Sequence, residues 1–153
     1  HSGAEDIRTE YIHTMDIDEI GLLRHPDFPA DAADFFLKGG CHQLALALVA
    51  AMGTVSFVAV YDSHSEDGQP LDTPPMVHAG AAVGNSVLDI EGVRPRDTWV
   101  SAWADLCRAP FYMEWEDGEL PFEFASAAHR EFSELVAAPL YDLIRRTSPS
   151  AAP

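Results

Sequence analysis

From Cys41 to Met52 the chain reads Cys-His-Gln-Leu-Ala-Leu-Ala-Leu-Val-Ala-Ala-Met, strong helix formers with apolar residues on nearly every side. That pattern predicts a helix enclosed by the rest of the domain rather than one lying on its surface. Gly53 ends it, and Thr54 to Tyr61 is rich in β-branched and aromatic residues, which predicts a strand directly after the helix. Upstream, Asp16-Ile17-Asp18-Glu19 places a capping oxygen three positions before a carboxylate, and Ile17, Ile20 and Leu23 follow at helical spacing. A short helix is expected there, stopped by His25-Pro26. Pro29 to Leu37 predicts a second short helix or an irregular turn, which delivers the chain to Gly39-Gly40, where two residues without Cβ permit a sharp bend.

Downstream of the strand, Asp62 to Pro75 has turn-forming residues and no apolar period, the mark of a long exposed loop. Met76 to Val83 and Ser86 to Ile90 are strand-like and separated by Gly84-Asn85, which predicts an antiparallel hairpin. Asp97 is expected to cap a helix whose apolar face holds Trp99, Val100, Trp103, Leu106 and Cys107, and Phe111 to Trp115 reads as a further strand. Phe124, Ala128, Phe132, Leu135 and Val136 recur at helical spacing, and Pro139 is expected to begin or kink a last segment. The expected fold class is therefore α+β, with a central helix near the N-terminus packed on an antiparallel sheet. One domain spanning 1–153 is expected, with flexible ends at 1–10 and 147–153.

Charge narrows the partners. Nine Lys and Arg stand against twenty-five Asp and Glu, a formal net charge of −16, so the average surface repels phosphate backbones and anionic lipid headgroups. Nucleic acid and membrane are not expected partners on that ground; the field would steer a basic protein or peptide toward the domain, and general solubility explains the same charge without any partner. No apolar run approaches the roughly twenty residues of a membrane span, and no basic region followed by an apolar stretch opens the chain. The expected place of action is the cytosol, reached either directly or by delivery of a secreted effector. Two cysteines, Cys41 and Cys107, fall outside any Cys-dense scaffold pattern and are expected to be reduced thiols.

The chemistry-bearing residues are Cys41, His78 and Asp89. A cysteine acts as a nucleophile only as thiolate, and the first turn of a helix presents unpaired N–H groups and a positive dipole end that favour the anion. Gly39 and Gly40 before Cys41 leave room for a substrate carbonyl, and the Cys41 N–H offers one oxyanion donor. His78, on the first arm of the hairpin, is placed to exchange the thiol proton, and Asp89, on the second arm, to hold the imidazole by its other nitrogen. His42, next to Cys41, either tunes the same thiol or faces solvent.

Gly39-Gly40-Cys41-His42-Gln43-Leu44-Ala45-Leu46-Ala47-Leu48, then Met76-Val77-His78-Ala79-Gly80, then Val87-Leu88-Asp89-Ile90, resemble the papain-like and transglutaminase-like cysteine protease superfamily. Its members carry a Cys at the head of a buried helix, then a His on a strand, then an Asp or Asn on the next; compact bacterial and phage members look more like this chain than lysosomal proteases do. The resemblance implies a papain-like or transglutaminase-like fold and acyl transfer from an amide: peptide hydrolysis, deamidation of glutamine or asparagine, or transamidation. It implies Cys41 as nucleophile, His78 as general base and later acid, Asp89 as its orienter, a protein or peptide substrate, and no cofactor. Papain relatives often place a Gln several residues before the Cys; Asp34-Phe35-Phe36-Leu37-Lys38 offers none, and Gln43 lies after it.

Rival readings are weaker in the sequence. Cys41, His42, His78 and Asp89 are acceptable zinc ligands, but adjacent side chains on a helix diverge by about 100°, and neither Cys-x-x-Cys nor His-Glu-x-x-His occurs. Gly39-Gly40 lacks the Lys-Ser or Lys-Thr of a phosphate loop. The alternative from another class is a non-catalytic acidic protein-binding module on the same frame, with Glu114-Trp115-Glu116-Asp117-Gly118-Glu119 and the tryptophans Trp99, Trp103 and Trp115 as surface.

Overall fold

A computed structural model describes residues 14–53, 55–116 and 119–147. Asp16 caps α1 (Ile17–Gly21): its side chain accepts from the Glu19 N–H at 2.9 Å while the Glu19 carboxylate accepts from the Asp16 N–H at 3.1 Å. Asp31 caps the four-residue α2 (Ala32–Phe35), its side chain accepting from the Asp34 N–H at 3.0 Å. The chain then bends through Gly39, at φ 111°, and enters α3 (Cys41–Met52) from Gly40. A Cβ on Gly40 would lie 2.7 Å from the Phe35 carbonyl oxygen and 2.8 Å from the Phe35 ring, so the close approach that seats the head of α3 requires glycine.

Eight of the twelve α3 residues are buried, Cys41 through Val49 with His42 excepted. Leu44 and Leu48 each contribute about 1.5–3 kcal/mol by leaving water. Gly53, at φ 73°, turns the chain into β1 (Ser56–Asp62). β2 (Met76–Val83), β3 (Ser86–Asp89), β4 (Gly92–Pro95) and β5 (Pro110–Trp115) complete one antiparallel sheet in the order β4-β3-β2-β1-β5. Phe57 and Ala59 of β1, Ala79 and Ala81 of β2 and Leu88 of β3 face α3 and the last helix, α5 (Ala127–Thr147). Val58, Val60, Ala82 and Val87 face the other way, against Trp99 of α4 (Arg96–Ala104). The architecture is thus mixed α+β, with α3 packed on an antiparallel sheet. Among the described residues no helix is long and apolar enough to cross a membrane.

Several local expectations change. β3 closes at Asp89, one residue short of Ile90, because Gly92 at φ 107° reverses the chain into the unexpected strand β4. Pro95 occupies the N-cap of α4, so Asp97 sits in the first turn, where its charge favours the helix dipole without capping it. Leu106 lies beyond α4 and is 69% exposed, and Leu135 is 47% exposed, so neither belongs to its expected apolar face. Pro139 neither begins nor ends a segment. An internal proline removes one backbone hydrogen bond, yet α5 stays helical through it, because Phe132 and Val136 on one side and Leu140 and Ile144 on the other are all buried in the α3 core. The expected flexible ends lie outside the described residues, apart from Thr147, which closes α5.

Candidate functional site

β2 and β3 pair from Val83↔Ser86 only as far as Ala81↔Leu88. Beyond that point β2 continues through Ala79 and His78 with β1 on one side, Ala59↔Ala79 and Val60↔His78, and no ladder partner on the other. Into this open edge comes the head of α3, and the Ala79 N–H faces the Cys41 sulfur. His78 shares the Val60 side of the sheet, facing α4, and Cys41 belongs to the core on the opposite side. The open edge is what lets an imidazole from one layer reach a thiol from the other.

His78 is fully buried, and its Nε2 lies 2.9 Å from Asp89 Oδ2. Asp89 is itself fixed from three further directions: the Trp99 indole N–H donates to Oδ2 at 2.8 Å, the Glu91 N–H donates to Oδ1 at 2.8 Å, and the Arg94 guanidinium stands 3.5 Å from Oδ2. Trp103 stacks on the His78 ring with centroids 3.8 Å apart and planes 19° apart. The remaining imidazole nitrogen, Nδ1, is buried with no hydrogen bond of ordinary geometry, although His78 and Cys41 are close enough for each to shift the other's proton affinity.

The electrostatics favour an ion pair. Burial alone would keep Cys41 a neutral thiol, but the neighbouring His42 and His78 side chains, the His78 charge and the Ala79 N–H outweigh it and hold the thiol down to about 6. Burial likewise opposes a charged His78, but the hydrogen bond to Asp89, the nearby Cys41 thiol and the charges of both push it up to about 9. The Asp89 carboxyl is desolvated as well; His78, the Trp99 indole and the Glu91 N–H more than offset this and keep it below the usual carboxylate range. Both shifts run in the direction of a thiolate facing an imidazolium.

Cys41, His42, His78 and Asp89 are thus brought into one neighbourhood. Gly40 is buried under Phe35 and shapes the approach, while Gly39 supplies only the left-handed bend and has open space around it. Gln43 is buried and faces away from the thiol's chemistry: its Oε1 accepts from the Ala125 N–H at 2.9 Å and its Nε2 donates to the Glu123 carbonyl at 3.4 Å, tying the segment before α5 to α3. Trp99 and Trp103, grouped with Trp115 as surface for a binding module, instead line the His78–Asp89 pair, and half-buried Trp115 packs on Phe57 and Phe122. Among the described residues no group of three or more His, Cys, Asp and Glu side chains is arranged to hold a metal ion.

Sequence reasoning passed over four neighbours: Trp99, Trp103, Arg94 and Tyr61. The β1 alternation Phe57-Val58-Ala59-Val60-Tyr61 was the available signal for Tyr61, since it sets that side chain on the α3 side. No family model, no curated protein and no solved structure matches this chain.

Proposed function

We propose that the chain is a cysteine-dependent amide-bond enzyme on a papain-like or transglutaminase-like frame, acting on a protein or peptide by hydrolysis, deamidation or transamidation. The Cys41 thiolate attacks the amide carbonyl, and His78, as imidazolium, gives its proton to the departing nitrogen. Neutral His78 then draws a proton from water, or from an incoming amine, that attacks the thioester and frees the thiolate. Asp89 keeps the imidazole in orientation and in charge; no cofactor enters. The observation that carries this reading is one arrangement: a buried sulfur at the first residue of α3, beside an imidazole whose other nitrogen is bound to a buried carboxylate at 2.9 Å. The negative surface suits a basic substrate protein, met in a cytosol.

A second reading, a non-catalytic acidic protein-binding module on the same frame, is favoured by the enclosure of the site. Cys41 is only 6% exposed, His78 is fully buried, and Nδ1 makes no ordinary hydrogen bond. Limiting iodoacetamide at pH 6, read by peptide mass spectrometry, separates the two. There about half of Cys41 is thiolate, while burial and the Asp62 charge keep Cys107 a protonated thiol, an excess that outweighs the lower intrinsic nucleophilicity of the low-pKa thiolate. Labelling of Cys41 much faster than Cys107 supports the enzyme; slow labelling of both at one rate supports the module. Among enzyme activities, a gain of about one dalton on a Gln or Asn of the target marks deamidation and chain cleavage marks a peptidase.

A further inference from the structure

The Cys41 N–H can polarise one side of a developing oxyanion, and no amide side chain upstream of Cys41 supplies the other. Tyr61 lies close enough to Cys41 for the sulfur's charge to raise its phenol. From Met52 back to Cys41, α3 rises about 16 Å, and from Ser56 to Tyr61 the antiparallel return of β1 covers about the same length. The strand therefore brings Tyr61 back to the level of Cys41. Phe57, Ala59 and Tyr61 alternate onto the α3 side, where Tyr61 packs, half-buried, against the cluster that contains Cys41. Its ring is held by Phe111, directly across on β5, at 5.2 Å and 10°. Its hydroxyl makes no hydrogen bond among the described residues, so the donor is unspent.

We propose that the Tyr61 hydroxyl is the second oxyanion donor of the site, acting with the Cys41 N–H on the carbonyl oxygen of the scissile amide. This assignment rests on the amide-bond reading above. When the sulfur lone pair forms the C–S bond, the carbonyl π pair moves onto oxygen, and the two donors stabilise that charge. Collapse restores the C=O bond and breaks the C–N bond, and the nitrogen leaves with the proton from His78. Burial, and then the nearby Cys41 charge, raise the Tyr61 phenol above its ordinary value, so it remains a donor throughout the range in which the thiolate–imidazolium pair exists.

Two reagents aimed at the same sulfur test the assignment. Iodoacetamide alkylates by displacement at saturated carbon and forms no oxyanion, whereas p-nitrophenyl acetate acylates through a tetrahedral one. Tyr61→Phe keeps the ring and its stack on Phe111. The expected result is alkylation of Cys41 within about twofold of the unaltered protein, with acylation slowed roughly a hundredfold. Acylation unchanged by Tyr61→Phe, or acylation and alkylation falling together, overturns the assignment and leaves the enzyme reading intact. If neither reagent selects Cys41 in the unaltered protein, both readings fall.

Discussion

Cys41 and Cys107 are the same side chain placed at opposite ends of helices. Cys41 is the first residue of α3, faced by the Ala79 N–H and by a charged imidazole, and its thiol is held down to about 6. Cys107 follows the end of α4, where its Sγ donates to the Trp103 carbonyl at 3.5 Å; burial, and then the negative charge of Asp62, push its thiol up. Asp62 stays anionic because the Ala109 and Arg108 N–H groups donate to it, at 2.9 and 2.8 Å. Cys41 is the more deeply buried of the two, so exposure does not account for its lower thiol pKa. What differs is the sign of the surrounding partial charges: N–H groups and an imidazolium at one thiol, a carbonyl and a carboxylate at the other.

The contrast can be broken most severely at Asp89. Asp89→Asn removes the charge that sustains the imidazolium, and acyl transfer to Cys41 is expected to fall by roughly 10³–10⁴. The pH profile of acylation in the unaltered protein should be a bell with limbs near 6 and 9: below the lower the thiolate is protonated, and above the upper the imidazolium is lost. In the variant the upper limb should move down toward the ordinary histidine value of 6.5. An upper limb still near 9 would refute the role given to Asp89.

Gly40→Ala is the next largest perturbation. Its Cβ would press on the Phe35 carbonyl and ring, displacing the head of α3 at a cost of about 1–3 kcal/mol, read as a lower urea midpoint. Cys41 labelling at pH 6 should slow with it and approach that of Cys107. Cys107→Ser should do least: a stability change within about 1 kcal/mol, and acylation of Cys41 equal to that of the unaltered protein. A large loss of acylation there would show that the two thiols are coupled, which their separate surroundings argue against.

The extent of α3 was legible because glycines bracket it: Gly39-Gly40 and Gly53 mark a start and an end that an unbroken apolar run would otherwise conceal. The hairpin was legible from Gly84-Asn85 for the same reason. β4 was not, since four residues between a glycine and a proline carry no periodicity and become a strand only through pairing with β3. Cys41, His78 and Asp89 could be named from their order along the chain. The neighbours that govern their charge could not: Trp99, Trp103 and Arg94 reach the His78–Asp89 pair only after β3, β4 and α4 are laid side by side. Tyr61 depends on strand length matching helix length, a quantity that pattern reading does not measure. Gln43 follows the sulfur by two residues, and the turn of the helix aims it at 123–125.

The early close of β3 has a consequence for how this protein could be switched off by change of length alone. A hairpin lengthened by two residues would zip the next stretch of β2 into the ladder, claim the Ala79 amide for a neighbouring carbonyl and wall the imidazole off from the sulfur. Cys41, His78 and Asp89 would all survive such an insertion, and the approach of the thiol to the imidazole would not.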